Sequence, residues 1–390
     1  MAGVRAGETE PIQQFEALLN VNHLLDDEGK NWFHHMDRVS ASMVLAAAFG
    51  LHCPTGQEPD LKEVIACTAE FVRLSAPSAN IINVLPFLDT IPGPMPWRKC
   101  AQTHRKREDA LYDRLITRAV SGEASGMNTW AAAFARADKP EGDQRRLMNM
   151  FTTAAIETAC DRGFDAHLHS CLHTVSQMDS PMRRGRLMPL LEKTVYLRSK
   201  IVPAFLSDIV VTCTAETLRW RPAGRFGVPH QSTADDVVEY KGIEYFIPKG
   251  SILFAVSWAI EHDQEIFEHH DLFQPDRFLD DTNNLKAGYE TTIFTVCPGM
   301  PFAERSLWIH IAMMLWTFNI GKSDEPDPNT GLPFRYDDGD SAFHGEFASG
   351  PLKFPAVFKP RSAHRAEVAR QEWAVCEKDL NVLLPQYKEH

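Results

Sequence analysis

What most limits the fold of this chain is a succession of long helix-like segments broken by one proline block. From Pro11 to about Leu25, Ile12, Phe15, Leu18, Leu19 and Val21 recur at roughly helical spacing. A second helix is expected from about Trp32 to Phe49, with Gly50 at its C′ position. A third runs from Leu61 to about Leu74. The stretch "NVLPFLDTIPGPMPW" then holds four prolines and cannot be regular structure. A long charged helix follows from Trp97 to Val120. Asp143 is placed to cap another, Gln144 to about Thr158, whose apolar face carries Leu147, Met150, Phe151, Ala154 and Ala155.

The patterning changes at Ala159. From there to about Leu190 the sequence keeps neither a 3.6-residue nor a 2-residue period. Helix returns at about Ser207 to Arg221. Short strand-like runs with turns come next: "VVEYKG", "EYFIPKG" and "SILFAVSWAI". Phe302 to Phe318 is helical, Gly345 to Lys359 alternates weakly like a terminal hairpin, and Val368 to Leu384 forms a last amphipathic helix. The fold class is mainly α with a small β portion in the C-terminal half.

Composition narrows the function. The formal net charge of −12 makes nucleic acid a poor partner. No window offers the 18 or so uninterrupted apolar residues of a membrane span, and "MAGVRAGETE" has no signal-peptide core. The eight cysteines show no CxxC pair, as expected of reduced thiols facing a cytosol.

Several side-chain groupings carry chemistry. Glu216 and Arg219 share a helix face at i, i+3 and can pair. Arg277, in "FQPDRF", is a second arginine that can join them. Cys297 stands before Pro298-Gly299 and a helix. Exposed N–H groups and the positive end of a helix dipole favour a thiolate there; a small buried thiol fits the same position. His167, His169, Cys171 and His173 alternate, which puts all four on one face if the segment is a strand. Such a cluster is a candidate zinc site, provided a second element helps to close it.

The order "ETLRWRP", "IPKGSILFAVSWAIEHD", "FQPDRF" and "CPGMPFAE" resembles the cytochrome P450 family of haem-thiolate monooxygenases, best from Glu216 to Arg361. The resemblance is to fungal microsomal members, through "LPFLDTIPGPMPWRK" and "GVPH…DDVVEYKGIEYFIPKG". It implies a P450-like fold, here incomplete. It implies haem b, with Cys297 as the axial ligand of the iron and His230 near a propionate. A thiolate ligand pushes electron density onto iron and favours O–O cleavage. Glu216, Arg219 and Arg277 become a buried structural network. Glu157 and Thr158, in "AAIETA", become the proton-handling pair of the oxygen-activating helix. Phe347, Ala348 and Ser349 become a turn at the substrate pocket. For His230 a surface histidine, and for the turn a plain β-turn, account for the residues equally well.

The implied reaction inserts one oxygen atom of O2 into an apolar small molecule, with electrons from NADPH through NADPH-cytochrome P450 reductase. The implied setting is fungal secondary metabolism or detoxification. The family sits on the cytosolic face of the endoplasmic reticulum membrane; without an anchor this chain is expected to be cytoplasmic or peripheral. One truncated domain is expected: helices in 1–158, an anomalous segment in 159–206, the haem-side elements in 207–361 and a terminal helix in 362–390.

Three departures from the family pattern stand out. Met1 falls after the family's first helices, including the one whose Trp and Arg or Lys meet the propionates. The loop before Cys297, Glu290 to Val296, lacks the family's two glycines and its arginine. Residues 159–206 do not resemble the family, whereas a shifted-frame translation of Leu187 to Ser207 resembles its lead into helix K. These departures leave open a catalytically inactive remnant, or a mispredicted gene product, that binds no haem.

Overall fold

The structure is a computed structural model. It describes residues 9–75, 80–121, 124, 126–136, 204–227, 230–281, 285–286, 300–327, 330–337, 339–344 and 349–384. The N-terminal helices follow the expected pattern closely. Helix α1 is Glu10–Asp26, α2 is Trp32–Phe49 and α3 is Pro59–Ser75. Pro11 sits in the first turn of α1, where a missing N–H costs nothing. Gly50 ends α2 in the left-handed region, φ 68°, and its N–H donates to the Ala46 carbonyl at 2.8 Å. The proline block keeps two short turns of structure, α4 (Ile81–Val84) and a 3-10 turn at Pro86–Thr90. Helix α5 then spans Pro96–Ser121, and α6, Trp130–Arg136, follows it. The helix expected over Gln144 to Thr158 lies outside the described residues.

The C-terminal part opens with α7, Ala204–Trp220, which begins a turn earlier than its sequence pattern suggests. Strand β1 (His230–Gln231) pairs antiparallel with β4 (Ile252–Leu253), and β2 (Asp236–Tyr240) with β3 (Ile243–Ile247). Lys241 and Gly242 close the β2–β3 hairpin with φ of 51° and 77°. Two consecutive positive φ values make a turn whose twist matches that of the strands. The run "SILFAVSWAI" is not one strand: after β4 it turns into α8, Ser257–Glu261. A 3-10 turn at Pro275–Phe278 carries Arg277.

Helix α9, Met300–Thr317, runs straight into β5, Phe318–Lys322. Of the terminal hairpin expected over 345–359, residues 345–348 lie outside the described residues; on either side of them Phe343 and Pro351 form an antiparallel bridge. Strand β6, Ala356–Pro360, pairs with the distant β5. Helix α10, Ala363–Val375, starts five residues before the predicted Val368, because Ser362 caps it by accepting the Arg365 N–H at 3.2 Å. A break at Cys376–Asp379 separates it from α11, Leu380–Leu383.

Helix α1 packs on α2, α9, α10 and α11, and α2 packs also on α3, α5 and α6. One face of α2 (Met36, Val39, Met43) meets Leu307, Ile311 and Met314 of α9 and Phe354 and Phe358 beyond it. Its other face (Ala41, Val44, Leu45, Ala48) meets Leu61, Val64, Leu111 and Leu115. Burial of each such Leu, Val or Met side chain contributes about 1.5–3 kcal/mol. The five described cysteines are free thiols. Among the described residues no helix is long and apolar enough to cross a membrane.

Candidate functional site

Helix α7 sets Glu216 and Arg219 on one face, and both are fully buried. Arg219 holds Glu216 through two parallel bonds, Nε to Oε2 at 2.7 Å and Nη2 to Oε1 at 2.8 Å. This fork is the strongest pairing open to an arginine and a carboxylate. Arg277 reaches the same carboxylate, Nε to Oε1 at 3.0 Å. The Gln274 N–H also donates to Oε1, at 2.7 Å. One carboxylate thus receives two guanidinium groups and a backbone amide.

The remaining guanidinium N–H groups collect backbone carbonyls from the loop that follows α8. Arg219 Nη1 donates to Glu261 at 2.8 Å and His270 at 2.9 Å, and its Nη2 to Leu272 at 3.3 Å. Arg277 Nη1 donates to Glu268 at 2.8 Å, and its Nη2 to His269 and Leu272, both at 3.2 Å. His269 is held in the left-handed region, φ 51°, while its carbonyl accepts from Arg277. Phe267 lies under both guanidinium groups, 5.2 Å from Arg219 and 6.0 Å from Arg277. Trp220 Nε1 adds a bond to the Asp271 carbonyl at 2.9 Å. The network therefore fixes the path of residues 261–277 against α7.

A further acid sits at the edge of this network. Glu261 is 3% exposed, and its Oε2 has no hydrogen-bond partner. Burial pushes its carboxyl up to about 8; Arg219 pulls it down and Glu216 pushes it up. Nothing in the sequence marked Glu261, because its burial depends on how α8 packs against α7. Next to it, His262 stacks on Trp258 at 3.9 Å, and burial lowers its pKa to about 4.

The other expected site residues are distributed as follows. His230 is an exposed residue of β1, paired with Leu253, and takes no part in the Glu216 network. Ser349 is buried; its N–H donates to the Ala223 carbonyl at 2.7 Å and its Oγ to the His344 carbonyl at 2.9 Å. It ties the terminal segment to the end of α7. Glu157, Thr158, Cys297, Phe347 and Ala348 lie outside the described residues, as does the cluster His167, His169, Cys171 and His173. Among the described residues no group of three or more His, Cys, Asp or Glu side chains is placed to hold a metal ion.

Haem is the cofactor to test against these residues. Helix α9 begins at Met300, three residues after Cys297 in the chain. Its free N–H groups and positive dipole end are therefore next in sequence to that thiol, which suits an anionic sulfur donor.

A helical scaffold with small antiparallel sheets and a buried Glu-Arg-Arg network is the arrangement that the resemblance to the haem-thiolate enzymes implies. The cytochrome P450 family model matches residues 209–334, a span that includes the whole network. The chain is similar to cytochrome P450 monooxygenase 58 of Postia placenta, 27% identical over 395 residues, which cover 96% of this chain and 72% of that protein. It is also similar to cytochrome P450 monooxygenase drtD of Aspergillus calidoustus, 28% identical over 95% of this chain and 68% of the relative. A third relative, cytochrome P450 monooxygenase verL of Clonostachys rogersoniana, is 28% identical over 93% of this chain and 68% of the relative. Over residues 209–334 the chain matches the cytochrome P450 family, and the relatives that it resembles along most of its length are named cytochrome P450 monooxygenases.

Proposed function

We propose that this chain is a haem-thiolate monooxygenase that hydroxylates an apolar small molecule in fungal secondary metabolism or detoxification. The observation that carries the reading is the convergence of Arg219 and Arg277 on the buried Glu216, inside the segment that the family model matches. Haem b, held by Cys297 through its thiolate, supplies the activation of O2 when bound. NADPH-cytochrome P450 reductase supplies the electrons from the cytosolic face of the endoplasmic reticulum.

The chain's own residues divide the remaining work. Glu216, Arg219 and Arg277 hold residues 261–277 in place on α7. The N-terminal end of α9 keeps the Cys297 sulfur anionic. Glu157 and Thr158 carry protons between solvent and the reacting oxygen, the carboxyl as the donor and the hydroxyl as the relay. His230 meets a haem propionate, and Phe347, Ala348 and Ser349 border the substrate.

A second reading rests on one specific observation. The positions before Cys297, Glu290 to Val296, offer no glycine and no arginine. Each lost charge-assisted bond to a propionate costs about 1.5–3 kcal/mol, so two or three such losses weaken haem retention by about two to six decades. On this reading the chain is a haem-free remnant. The reduced, CO-treated difference spectrum of the purified chain separates the two. A Soret band at the thiolate position that disappears in Cys297→Ser supports the enzyme. A protein that is folded by circular dichroism yet takes up no haem refutes it.

A further inference from the structure

Strand β1 leads into β2, and β3 into β4, so residues 230–240 and 243–253 make one two-stranded ribbon. The Ser232 N–H donates to the Ser251 carbonyl and the Gly250 N–H to the Ser232 carbonyl, both at 2.9 Å, which joins the β1–β4 pair to the β2–β3 pair. Among the described residues no third strand pairs with either edge of the ribbon. A two-stranded hairpin without cover is marginally stable in water.

The register sorts its side chains, because opposed and alternate residues share a face. Val238 opposes Tyr245 and Tyr240 opposes Ile243, so these four line one face, with Asp236 and Ile247 at its open end. On the other face Val237 opposes Phe246 and Glu239 opposes Glu244. The first face is apolar across its four central residues, yet Val238, Tyr240, Ile243 and Tyr245 are 46%, 60%, 56% and 49% exposed.

We propose that this face packs on the same face of a second copy of the chain, in a weak two-fold homodimer. An aromatic side chain buries about 150–250 Å² when fully covered. At the exposures above, the four residues leave roughly 400 Å² per copy to cover, or roughly 800 Å² for the pair. That is less than the 1,200 Å² or so of a stable complex and matches a transient one. Charge decides among the possible covers. Residues 235–249 carry Asp235, Asp236, Glu239 and Glu244 against Lys241 and Lys249, and Lys241 bonds Glu265 at 3.3 Å. An anionic lipid surface is repelled by this excess. In the two-fold pair Glu239 and Glu244 stay on the outer faces in water, so neither carboxylate is desolvated. The inference rests on the ribbon and is independent of the haem-thiolate reading.

The test is sedimentation velocity of the full 390-residue chain from about 1 to 200 μM, with a Kd on the order of 10–100 μM expected for a monomer–dimer equilibrium. Two paired variants separate the faces: Val238→Thr with Tyr245→Thr, and Val237→Thr with Phe246→Thr. Threonine keeps the preference for strand, and opposed threonines suit a hairpin. The first pair should weaken the dimer by about 10-fold or more, and the second by less than about 3-fold. Raising NaCl from about 0.05 to 0.5 M should leave the dimer as tight or tighter, since salt screens like charges. A chain that stays monomeric throughout overturns the proposal. So do equal losses in the two paired variants, which signal unspecific stickiness, and growth beyond two chains, which signals pairing along the strand edges. Weakening by salt overturns it too, because the contact is then held by opposite charges. Capture of the chain by phosphatidylcholine vesicles that the first pair alone abolishes assigns the face to lipid instead.

Discussion

Replacing Glu261 with glutamine should stabilise the folded chain at alkaline pH and change little in acid. Glu261 closes α8, is 3% exposed and leaves Oε2 without a partner. Burial raises its carboxyl from the ordinary 4.5 to about 8, with Arg219 opposing the shift and Glu216 adding to it. The folded state therefore holds the proton more tightly than the unfolded chain does. Its stability contribution is fully present below about pH 4.5, declines as pH rises, and is lost once pH passes about 8. Each pKa unit is worth about 1.36 kcal/mol, so ionising this acid in the fold costs on the order of 5 kcal/mol. Glutamine keeps the shape and cannot ionise. Urea unfolding followed by circular dichroism at pH 5, 6.5 and 8 gives the readout as the difference between the two proteins, which cancels every other titrating group. The variant should gain progressively over the native chain from pH 5 to pH 8. Parallel pH profiles, or a variant less stable at pH 8, would refute the reasoning.

Three other outcomes are expected. Arg219→Leu leaves the buried Glu216 with only Arg277 and the Gln274 N–H and takes a donor from three backbone carbonyls, and it should cost about 3–5 kcal/mol in urea unfolding, far more than a surface ion-pair loss. Gly29→Ala should lower the melting temperature more than Gly242→Ala. Both glycines have positive φ, but a Cβ at Gly29 would stand 2.7 Å from Phe358 Cδ2, whereas nothing lies within 4 Å at Gly242; the difference is about 1–3 kcal/mol of overpacking. Genomic sequence across codons 159–210 should show a shifted frame that encodes family-like helices, and the frame hypothesis fails if no frame does.

The pairing of Glu216 with Arg219 was legible because i, i+3 spacing fixes which side chains meet on a helix. Arg277 was legible as a candidate from its charge, but its place in a buried network came through the resemblance, since no local rule joins residues 61 positions apart. The carbonyls that these arginines collect left no mark at all, because every residue carries one. The same limit hid the Glu16–Arg38 pair, which joins two helices across a turn. Residues 257–261 read as strand because an apolar, β-branched run precedes them; packing against α7 turned them into helix. Strand β5 was hidden as the tail of an apolar helix, since its partner, β6, begins 34 residues after it ends. The early start of α10 was in the sequence: Ser362 before a helical pattern is a cap.

The position of α1 at the hub of the fold bears on how the chain is made. Gln13 Nε2 donates to the Phe302 carbonyl at 3.0 Å and to Ser306 Oγ at 2.7 Å, 289 and 293 residues away. Asn22 donates to the Ala369 carbonyl at 3.3 Å, 347 residues away. On a translating ribosome α1 emerges well before α9 and α10, two of the helices that it permanently packs against. At about 5–20 residues per second, the apolar face of α1 that receives α9 waits roughly 15–60 seconds for it. The nascent chain must shield that face by provisional contacts or by a chaperone throughout synthesis. Its yield of folded protein is therefore set by the speed of translation and by holdase supply as much as by the stability of the finished fold.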